Sequence, residues 1–332
     1  MKVAFFETKD WQKEYFQKEI GAGNELLFFE GVLKKENMES VKDVDALVVF
    51  IYSKIMKDEL GNLPNLKMIT TMSTGFDHID INECKKRNIV VTNVPSYGEN
   101  TVAEHAFALI FAISRKLIES YERVKDGNFS PDGLTGFDLY GKTLGVVGVG
   151  NIGCHVIRIA KGIGMNVLGY KRTPDLKLEQ ELGFKFVDID SLFAQSDIIT
   201  LHIPYSKDTH HFFNKQAFEK MKNGVVIINT SRGAIIDTDA LLEAIDSGKV
   251  QSAGLDVLEE EPMLQEESAL LSQEFDKEKL IKTIENHMLV NHKQVIITPH
   301  NAFNSKEALE RIVVTVKENI EKYISGNPQN IV

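Results

Sequence analysis

The sequence is poor in cysteine, in positive charge and in long apolar runs. Its two cysteines, Cys84 and Cys154, form no CxxC pair, so neither a disulfide framework nor a zinc site is expected. Acidic residues outnumber basic ones by 48 to 38, and the resulting charge of −10 disfavours a nucleic-acid partner. No apolar run approaches the ~18 residues of a membrane span, and Glu7 interrupts the first one before a secretory signal can form. We therefore expect a cytoplasmic protein with no membrane partner.

The length of 332 residues favours two domains over a single core. Short β-rich apolar segments alternate with helical stretches, and this rhythm predicts parallel α/β sheets. One series of strands is expected at 2–6, 25–29, 46–50, 67–71 and 89–92. A second series is expected at 143–147, 166–170, 184–187, 197–201, 225–229, 253–256 and 295–298. The predicted fold class is two doubly wound parallel-sheet domains.

Two helices complete this plan. Thr101 and Glu104 have the spacing of a capping box, and the ten residues that follow are apolar nearly all round, which predicts a buried helix. That helix either packs inside one domain or forms a subunit interface. The last helix, over 305–324, has a single apolar face and needs a sheet to cover. We assign it to the first series, so a discontinuous flavodoxin-like substrate domain comprises 1–99 and 301–332, and a Rossmann dinucleotide-binding domain comprises 100–300.

A Gly-x-Gly-x-x-Gly sequence at Gly148, Gly150 and Gly153 lies between a predicted strand and a predicted helix. In that context it predicts a dinucleotide site, because the glycines allow a tight turn, a close approach of the pyrophosphate and close helix packing. Amides at the start of the helix then bind the phosphate charge.

The choice of dinucleotide depends on the residues after the second strand of that series. An NAD site usually has an acid there for the ribose 2′-hydroxyl, but this chain has Lys171 and Arg172. Two cations suit a 2′-phosphate, so NADP(H) is favoured over NAD(H). The alternative is that both cations face solvent and that NAD(H) binds through its other contacts.

Three ionisable residues follow predicted strand ends, where ligands bind in open α/β sheets: Arg232, Glu261 and His300. Reduction of a 2-keto acid needs a cation for the carboxylate, a proton donor for the developing alkoxide, and a partner that keeps this donor protonated. Arg232, His300 and Glu261 can fill these roles in that order. Singly, each would be an ordinary structural residue, but their placement beside a dinucleotide loop favours catalysis. No metal site is expected, because His210 and His211 lack a third ligand.

The sequence resembles the D-isomer-specific 2-hydroxyacid dehydrogenases over almost its whole length. The matching segments are 73–80, 97–105, the glycine turn, 201–204, 229–233, 255–262 and 298–300. The resemblance implies that Arg232, Glu261 and His300 are catalytic and that Asp256 lies beside the nicotinamide. It also implies substrate contacts at Thr74, Gly75, Tyr97 and Phe303. Further cofactor contacts are implied at Asn151, Ile152, His202, Pro204, Thr230 and Ser231.

Within the family, the segments around Tyr97 and from His300 to Phe303 are most similar to D-lactate dehydrogenases, which implies pyruvate as substrate. A glyoxylate or hydroxypyruvate reductase is an alternative within the same enzyme class. A dinucleotide-sensing regulatory protein on the same fold is an alternative of another class. The resemblance also implies a homodimer formed through the helix at 101–115.

Overall fold

The computed structural model describes residues 1–259 and 277–332, which form two compact units. Unit 1 comprises Met1–Tyr97 and Asn304–Val332, and unit 2 comprises Gly98–Phe303. Each unit contains its own parallel β-sheet. Within the described residues, no helix is long and apolar enough to cross a membrane.

Unit 1 is built on five parallel strands. The strands are β1 (Lys2–Phe5), β2 (Glu25–Phe28), β3 (Ala46–Val49), β4 (Met68–Thr71) and β5 (Val90–Thr92). Helices α1 (Asp10–Ile20), α2 (Lys57–Gly61) and α3 (Ile81–Lys86) and a 3-10 helix (Lys35–Val41) connect them. The sheet order is β2-β1-β3-β4-β5, so the chain reverses its winding direction at β1, as in flavodoxin-like folds.

Unit 2 begins with helices α4 (Glu99–Ser114) and α5 (Leu117–Lys125) and continues into a seven-stranded sheet. Its strands are β6 (Thr143–Val147), β7 (Asn166–Tyr170), β8 (Lys185–Phe186), β9 (Ile198–Leu201), β10 (Val225–Asn229), β11 (Val250–Leu255) and β12 (Val295–Ile297). Its other helices are α6 (Asn151–Gly162), α7 (Leu176–Leu182), α8 (Ile189–Gln195), α9 (Lys215–Lys220), α10 (Thr238–Asp246) and α11 (Lys277–Val290), with a 3-10 helix at Gly233–Ile235. The order β12-β11-β10-β9-β6-β7-β8 is that of a Rossmann sheet extended by one strand.

The last helix, α12 (Lys306–Ile324), returns the chain to unit 1. Ser305 caps it by accepting a hydrogen bond from the amide of Ala308 at 3.2 Å. Its apolar face, which includes Ile312, Val316 and Ile320, is buried against α1 and β4. The helix therefore covers one face of the five-stranded sheet.

The predicted fold class is confirmed, and all twelve predicted strands are present. The central strands β3, β4, β9 and β10 bury every residue, because helices cover both faces of each sheet. This double burial is the reason that the strands read as continuous apolar runs. The largest difference between predicted and observed strand bounds is in β11, which starts at Val250 rather than at 253.

The start and the burial of α4 differ from the prediction. The amide of Val102 donates to the carbonyl of Gly98 at 2.8 Å, so the helix begins before Thr101, which lies inside the first turn. The capping-box prediction was therefore wrong in placing Thr101 at the helix end. Burial is also incomplete, since the Phe111 side chain is 39% exposed while Phe107 and Ile110 are buried.

Candidate dinucleotide and catalytic site

The glycine turn follows β6 and leads into α6, as the sequence predicts. Gly148 has φ of +102°, and a Cβ atom there would lie 2.4 Å from the carbonyl oxygen of His202. A Cβ atom at Gly153 would lie 2.3 Å from the carbonyl oxygen of Gly148. At Gly150, by contrast, a Cβ atom would meet nothing within 4 Å among the described residues. Two glycines thus close the turn, and the middle one leaves open space into which a ligand can approach the backbone.

The start of α6 offers backbone donors next to that open space. Gly150 is the N-cap, and the amide of Cys154 is the first to bond back to it, at 2.9 Å. The amides of Asn151, Ile152 and Gly153 precede it and have no acceptor within the helix. Together with the helix dipole they form a site that suits a pyrophosphate.

Two buried polar atoms at neighbouring strand ends fit a bound ligand as well. Nδ1 of His202, after β9, and Oγ1 of Thr230, after β10, have no hydrogen-bond partner among the described residues. Burial lowers the pKa of His202 to about 3, so the imidazole is neutral, and its Nε2 lies 2.9 Å from Oγ1 of Thr200. A neutral imidazole and a hydroxyl can each bond a neutral polar group of a dinucleotide. The predicted cofactor residue Pro204, further along the same loop, is exposed.

The residues that would select the dinucleotide lie directly beyond β7. Tyr170 pairs with Val147, and its carbonyl accepts from the Gly148 amide at 2.9 Å, so the strand ends beside the glycine turn. Lys171 follows and is half-buried. Arg172 is 80% exposed, and its guanidinium lies 3.3 Å from the carboxylate of Asp208. An exposed pair of this kind contributes about 0–1 kcal/mol, so Arg172 can exchange this partner for another anion.

Arg232 lies in a turn that Asn229 organises. The Asn229 side chain accepts from the amide of Ser231 at 3.0 Å and from its hydroxyl at 2.9 Å, and it donates to the carbonyl of Arg232 at 2.9 Å. Gly233 follows, where a Cβ atom would lie 2.0 Å from the carbonyl carbon of Leu258. The half-buried Arg232 is therefore held at the end of β10, close to the backbone that leaves β11.

His300 lies in a turn that Asp256 holds. The amide of His300 donates to the carbonyl of Asp256 at 2.9 Å, and His300 has φ of +50°. The Asp256 carboxylate accepts from the amides of Asn301 and Ala302, each at 2.8 Å, and from the hydroxyl of Thr298. A buried aspartate at the end of β11 thus fixes the backbone on both sides of His300.

Asp256 is charged despite being 1% exposed. Burial alone would raise its pKa, but the hydrogen bonds from His105, Thr298, Asn301 and Ala302 outweigh burial and lower the pKa. His105, on α4, reaches the same network, with Nε2 3.0 Å from Oγ1 of Thr298 and 3.4 Å from Oδ1 of Asp256. An ionised carboxylate is the strongest acceptor available for these donors.

Glu261, the predicted partner of His300, lies outside the described residues. The described chain before it ends at the buried Glu259, whose carboxylate accepts from His211 at 2.6 Å and from Thr238 at 2.9 Å. Lys282, on α11, lies 3.3 Å from the same carboxylate. Burial would raise the pKa of Glu259, but its pKa is lowered because these contacts prevail.

In unit 1, the predicted substrate residues Thr74 and Gly75 follow β4. The Thr74 hydroxyl donates to the carbonyl of Val94 at 2.8 Å, and the Thr74 carbonyl accepts from Asn93 at 2.8 Å. Ser73 donates to the carbonyl of Gly75 at 2.7 Å. The backbone of this loop is therefore fixed by its own neighbours.

The other two predicted substrate residues are half-buried. Tyr97, the last residue of the first segment of unit 1, accepts at its carbonyl from Arg311 at 2.6 Å. Phe303 is the last residue of unit 2 and follows the turn that carries His300. Among the described residues, no cluster of His, Cys, Asp or Glu could hold a metal ion.

The carboxyl edge of the unit 2 sheet thus brings together the glycine turn, Thr230, Arg232 and Asp256, with His300 beyond β12. A family model for "D-isomer specific 2-hydroxyacid dehydrogenase, NAD binding domain" matches residues 107–302 of this chain. The chain belongs to the D-isomer specific 2-hydroxyacid dehydrogenase family. The predicted family and the oxidoreductase class are therefore confirmed, and so is the nicotinamide dinucleotide cofactor.

Relatives of this dehydrogenase cover nearly its whole length. It is 37% identical to the D-lactate dehydrogenase of Escherichia coli over 98% of both chains. It is 38% identical to the glyoxylate reductase of Thermococcus litoralis over 89% of this chain and 85% of that one. Its structure resembles that of the Aquifex aeolicus D-lactate dehydrogenase complexed with NAD and lactic acid, with a TM-score of 0.89 and 36% identity over 98% and 96% of the chains.

Three residues that organise the site of this dehydrogenase were not identified from the sequence. Asn229 had a local signal, since an asparagine that ends a buried strand often bonds to the turn after it. His105 had none, because its partners Asp256 and Thr298 lie far along the chain. His211 was considered as a metal ligand, whereas the structure pairs it with Glu259.

Proposed function

We propose that this protein reduces a small 2-keto acid to the D-2-hydroxy acid, with pyruvate and D-lactate as the principal pair. The proposal depends mainly on one observation. The glycine turn, Arg232 and the His300 turn lie at the carboxyl edge of the same sheet, where such folds bind ligands. Similarity to D-lactate dehydrogenases over nearly the whole chain supports pyruvate.

The proposed roles follow from charge and position. When bound, the nicotinamide supplies the hydride. Arg232 binds the substrate carboxylate through its planar guanidinium, and His300 gives a proton to the carbonyl oxygen as negative charge develops there. Glu261, which lies outside the described residues, is proposed as the partner of His300 from the sequence motif alone. Fixed backbone on both sides of His300 supports this assignment, because proton transfer requires a donor held in place.

We propose that unit 2 binds the dinucleotide and that unit 1 binds the substrate. Unit 2 is the dinucleotide-binding domain, with contacts at its glycine turn, Lys171, Arg172, His202, Pro204, Thr230, Ser231 and Asp256. Unit 1 is the substrate domain, and its fixed loop at Thr74 and Gly75 presents backbone amides to a carboxylate. Tyr97 and Phe303 are proposed to contact the substrate, by the family resemblance.

NADP(H) is the proposed cofactor, with NAD(H) as the alternative. Lys171 and Arg172 lie next to the glycine turn, and the exposed Arg172–Asp208 pair is weak enough to yield to a 2′-phosphate. A comparison of kcat/KM for NADPH and NADH tests this. A hundredfold preference for NADH would show that the two cations do not contact the cofactor.

A panel of 2-keto acids, run with both cofactors and with chiral analysis of the product, tests the reaction. Pyruvate should have the highest kcat/KM and give the D-enantiomer, whereas a preference for glyoxylate or hydroxypyruvate would indicate the reductase alternative suggested by the Thermococcus litoralis relative. The variant His300→Ala should lose about 10² to 10⁴ in turnover, the usual contribution of a general acid, yet still bind the dinucleotide. Absence of turnover with every acid would favour the dinucleotide-sensing alternative.

We also propose that the protein is a cytoplasmic homodimer. Both cysteines are free thiols, which suits a reducing compartment. Helix α5 buries none of its residues and exposes apolar side chains beside α4. An apolar surface of this kind is typical of a subunit interface.

A further inference from the structure

Glu7, at the end of β1 in unit 1, is a half-buried carboxylate in an uncommon backbone conformation. Its φ of +58° lies in the left-handed region that non-glycine residues seldom adopt. Its side chain accepts from the amides of Phe50 at 3.1 Å, Tyr52 at 3.1 Å and Ser53 at 3.2 Å, and from the Ser53 hydroxyl at 2.5 Å. Four donors on the loop after β3 thus converge on one carboxylate.

The position of this contact in the sheet points to a ligand. Strands β1 and β3 are neighbours in the order β2-β1-β3-β4-β5, and the winding direction reverses between them. Ligands of such sheets bind in the crevice outside the carboxyl ends at this reversal. Glu7 and residues 50–53 lie at this place in unit 1.

The loop also lies beside the segment proposed to hold the substrate carboxylate. The amide of Met72 donates to the carbonyl of Val49 at 2.8 Å, which keeps β3 and β4 paired up to the loops that follow them. Neighbouring strands are ~4.8 Å apart, so the loops that leave β3 and β4 start close together. Phe50 and Tyr52 are half-buried with ring centroids 6.3 Å apart, so the loop after β3 carries a pair of partly exposed aromatic rings.

The contacts of Glu7 exceed what is needed to join two strands. Strand pairing is already continued by the amide of Phe6, which donates to Val48 at 2.9 Å, and by the amide of Glu7, which donates to Gly31 at 3.1 Å. Burial raises the pKa of the Glu7 carboxyl, so keeping a carboxylate here has a cost. A half-buried acid held in a strained backbone conformation at a ligand-binding edge is characteristic of a functional constraint.

We propose that Glu7 is a positioning residue that fixes the loop at 50–53 and thereby sets which substituents of a 2-keto acid this enzyme accepts. The inference rests on the proposed function for the identity of the substrate. The loop itself, through Phe50 and Tyr52, forms the surface that the substituent meets. Glu7 acts through the backbone amides of that loop and touches neither the substrate nor the dinucleotide.

The test compares Glu7→Gln with Asp45→Asn. Glutamine keeps the size of Glu7 but replaces one acceptor oxygen with an amide donor that faces the loop amides. Asp45 is the matched control, because its carboxylate also joins two strands of the same sheet, accepting from the amide of Lys2 at 2.9 Å and from Lys67 at 2.8 Å, but at the amino edge. Ser53→Ala, which removes one of the four donors, is a second and milder variant should Glu7→Gln fold poorly.

In Glu7→Gln, the ratio of kcat/KM for pyruvate to that for phenylpyruvate should change by about tenfold, mainly through KM, since substituent fit is worth factors of this size. The KM for the dinucleotide should not change. Asp45→Asn should lower the melting temperature by a similar amount and leave the ratio of the two kcat/KM values unchanged. An unchanged ratio in Glu7→Gln, with the same loss of melting temperature as in Asp45→Asn, would overturn the proposal.

Hydrogen exchange of the amides of Phe50, Tyr52 and Ser53 gives a readout that needs no activity. Exchange should be about tenfold faster in Glu7→Gln than in the wild type or in Asp45→Asn, because the acceptor that protects these amides is weakened. Equal exchange rates in all three proteins would refute the anchoring of the loop at 50–53 by Glu7, whatever the substrate is. Lack of turnover in the wild type with any 2-keto acid would instead refute the proposed function.

Discussion

At the scale of single residues, Asp256 determines where His300 lies. Its two carboxylate oxygens receive donors from Thr298, Asn301 and Ala302, and its carbonyl receives the amide of His300. We propose from the family resemblance that Asp256 lies beside the nicotinamide, and the structure adds this anchoring of the His300 turn. A residue that holds the proposed proton donor in place should affect turnover more than cofactor binding.

The variant Asp256→Asn should therefore lower kcat by at least about tenfold and destabilise the fold by about 1–3 kcal/mol, because its amide group cannot accept from every donor that the carboxylate satisfies. The dinucleotide Kd should change less than kcat. Steady-state kinetics, fluorescence titration with the dinucleotide and urea unfolding measure the three quantities.

Asp197→Asn is the matched control for this prediction. Asp197 accepts from the Thr143 amide at 2.8 Å and from Lys222 at 2.9 Å, and it lies at the opposite edge of the same sheet. This variant should lose stability and keep its kcat. Equal kcat values in the two variants would mean that Asp256 has no role beyond stability.

His202 gives a prediction about pH. Burial lowers its pKa to about 3, whereas in the unfolded chain the pKa is near the ordinary 6.5, so only the unfolded state gains a proton as pH falls below 6.5. The residue is thus a source of acid instability that grows between pH 6.5 and pH 3. Its cost at pH 5 is on the order of 2 kcal/mol relative to pH 7.

Urea unfolding of the wild type and of His202→Gln at pH 7 and pH 5 isolates this contribution, since all other titrating groups are shared. The wild type should lose more stability between the two pH values than the variant does. If both proteins lose the same amount of stability between pH 7 and pH 5, His202 can be protonated in the folded state.

Residues whose role is local were predictable, and residues whose role is a long-range contact were not. Gly148 and Gly153 follow from the strand-turn-helix pattern, because the steric need for glycine arises within a few residues or at the adjacent strand. The anchoring role of Asp256 depends on His105 and Thr298, which no local pattern connects to it. Arg232 and His300 could be selected because strand ends in a parallel sheet lie at one edge.

At the scale of elements, α6 allows a test of the close approach at the glycine turn. Gly153→Ala should weaken dinucleotide binding and cost about 1–3 kcal/mol, because its Cβ atom would lie 2.3 Å from the Gly148 carbonyl oxygen. In Gly162→Ala, at the end of the same helix, the Cβ atom meets no described atom within 4 Å. That control should gain roughly 0.5–1 kcal/mol from helix propensity and bind normally.

Thermal unfolding and dinucleotide titration of the two variants provide the comparison. A Gly153→Ala protein that binds the dinucleotide as tightly as Gly162→Ala would show that the turn adapts to the added methyl group. The close packing of α6 on its strand would then not be required for the site.

Elements were predictable to within about three residues because burial on both faces leaves apolar runs that only a parallel sheet explains. The errors in the prediction occur at the ends of helices and strands. The prediction placed the start of α4 by Thr101 and Glu104, but Gly98 already accepts the first helical hydrogen bond from Val102. A capping-box pattern can also occur one turn inside a helix, and local sequence does not separate the two cases.

At the scale of the whole molecule, the net charge of −10 and the exposed apolar side chains of unit 2 act in opposite directions. Like charges keep two copies apart, whereas α5 offers Leu117, Ile118, Tyr121 and Val124 at 41–65% exposure, and Phe129 beyond it is 80% exposed. Burying apolar surface is worth about 25 cal/mol per Å². A shared apolar surface of ordinary interface size therefore outweighs diffuse repulsion at physiological ionic strength, where charges more than ~8 Å apart are screened.

The protein should accordingly sediment at twice 37.4 kDa, and Tyr121→Glu should shift it to the monomer mass. Tyr121 is 65% exposed, and Nζ of Lys125 lies 5.4 Å from its ring centroid, so the substitution removes little packing and places a charge on the proposed interface. Leu176→Glu is the control, since Leu176 is equally exposed, at 66%, on α7 of the same unit. A monomeric wild type, or dissociation by Leu176→Glu as readily as by Tyr121→Glu, would exclude α5 as the interface.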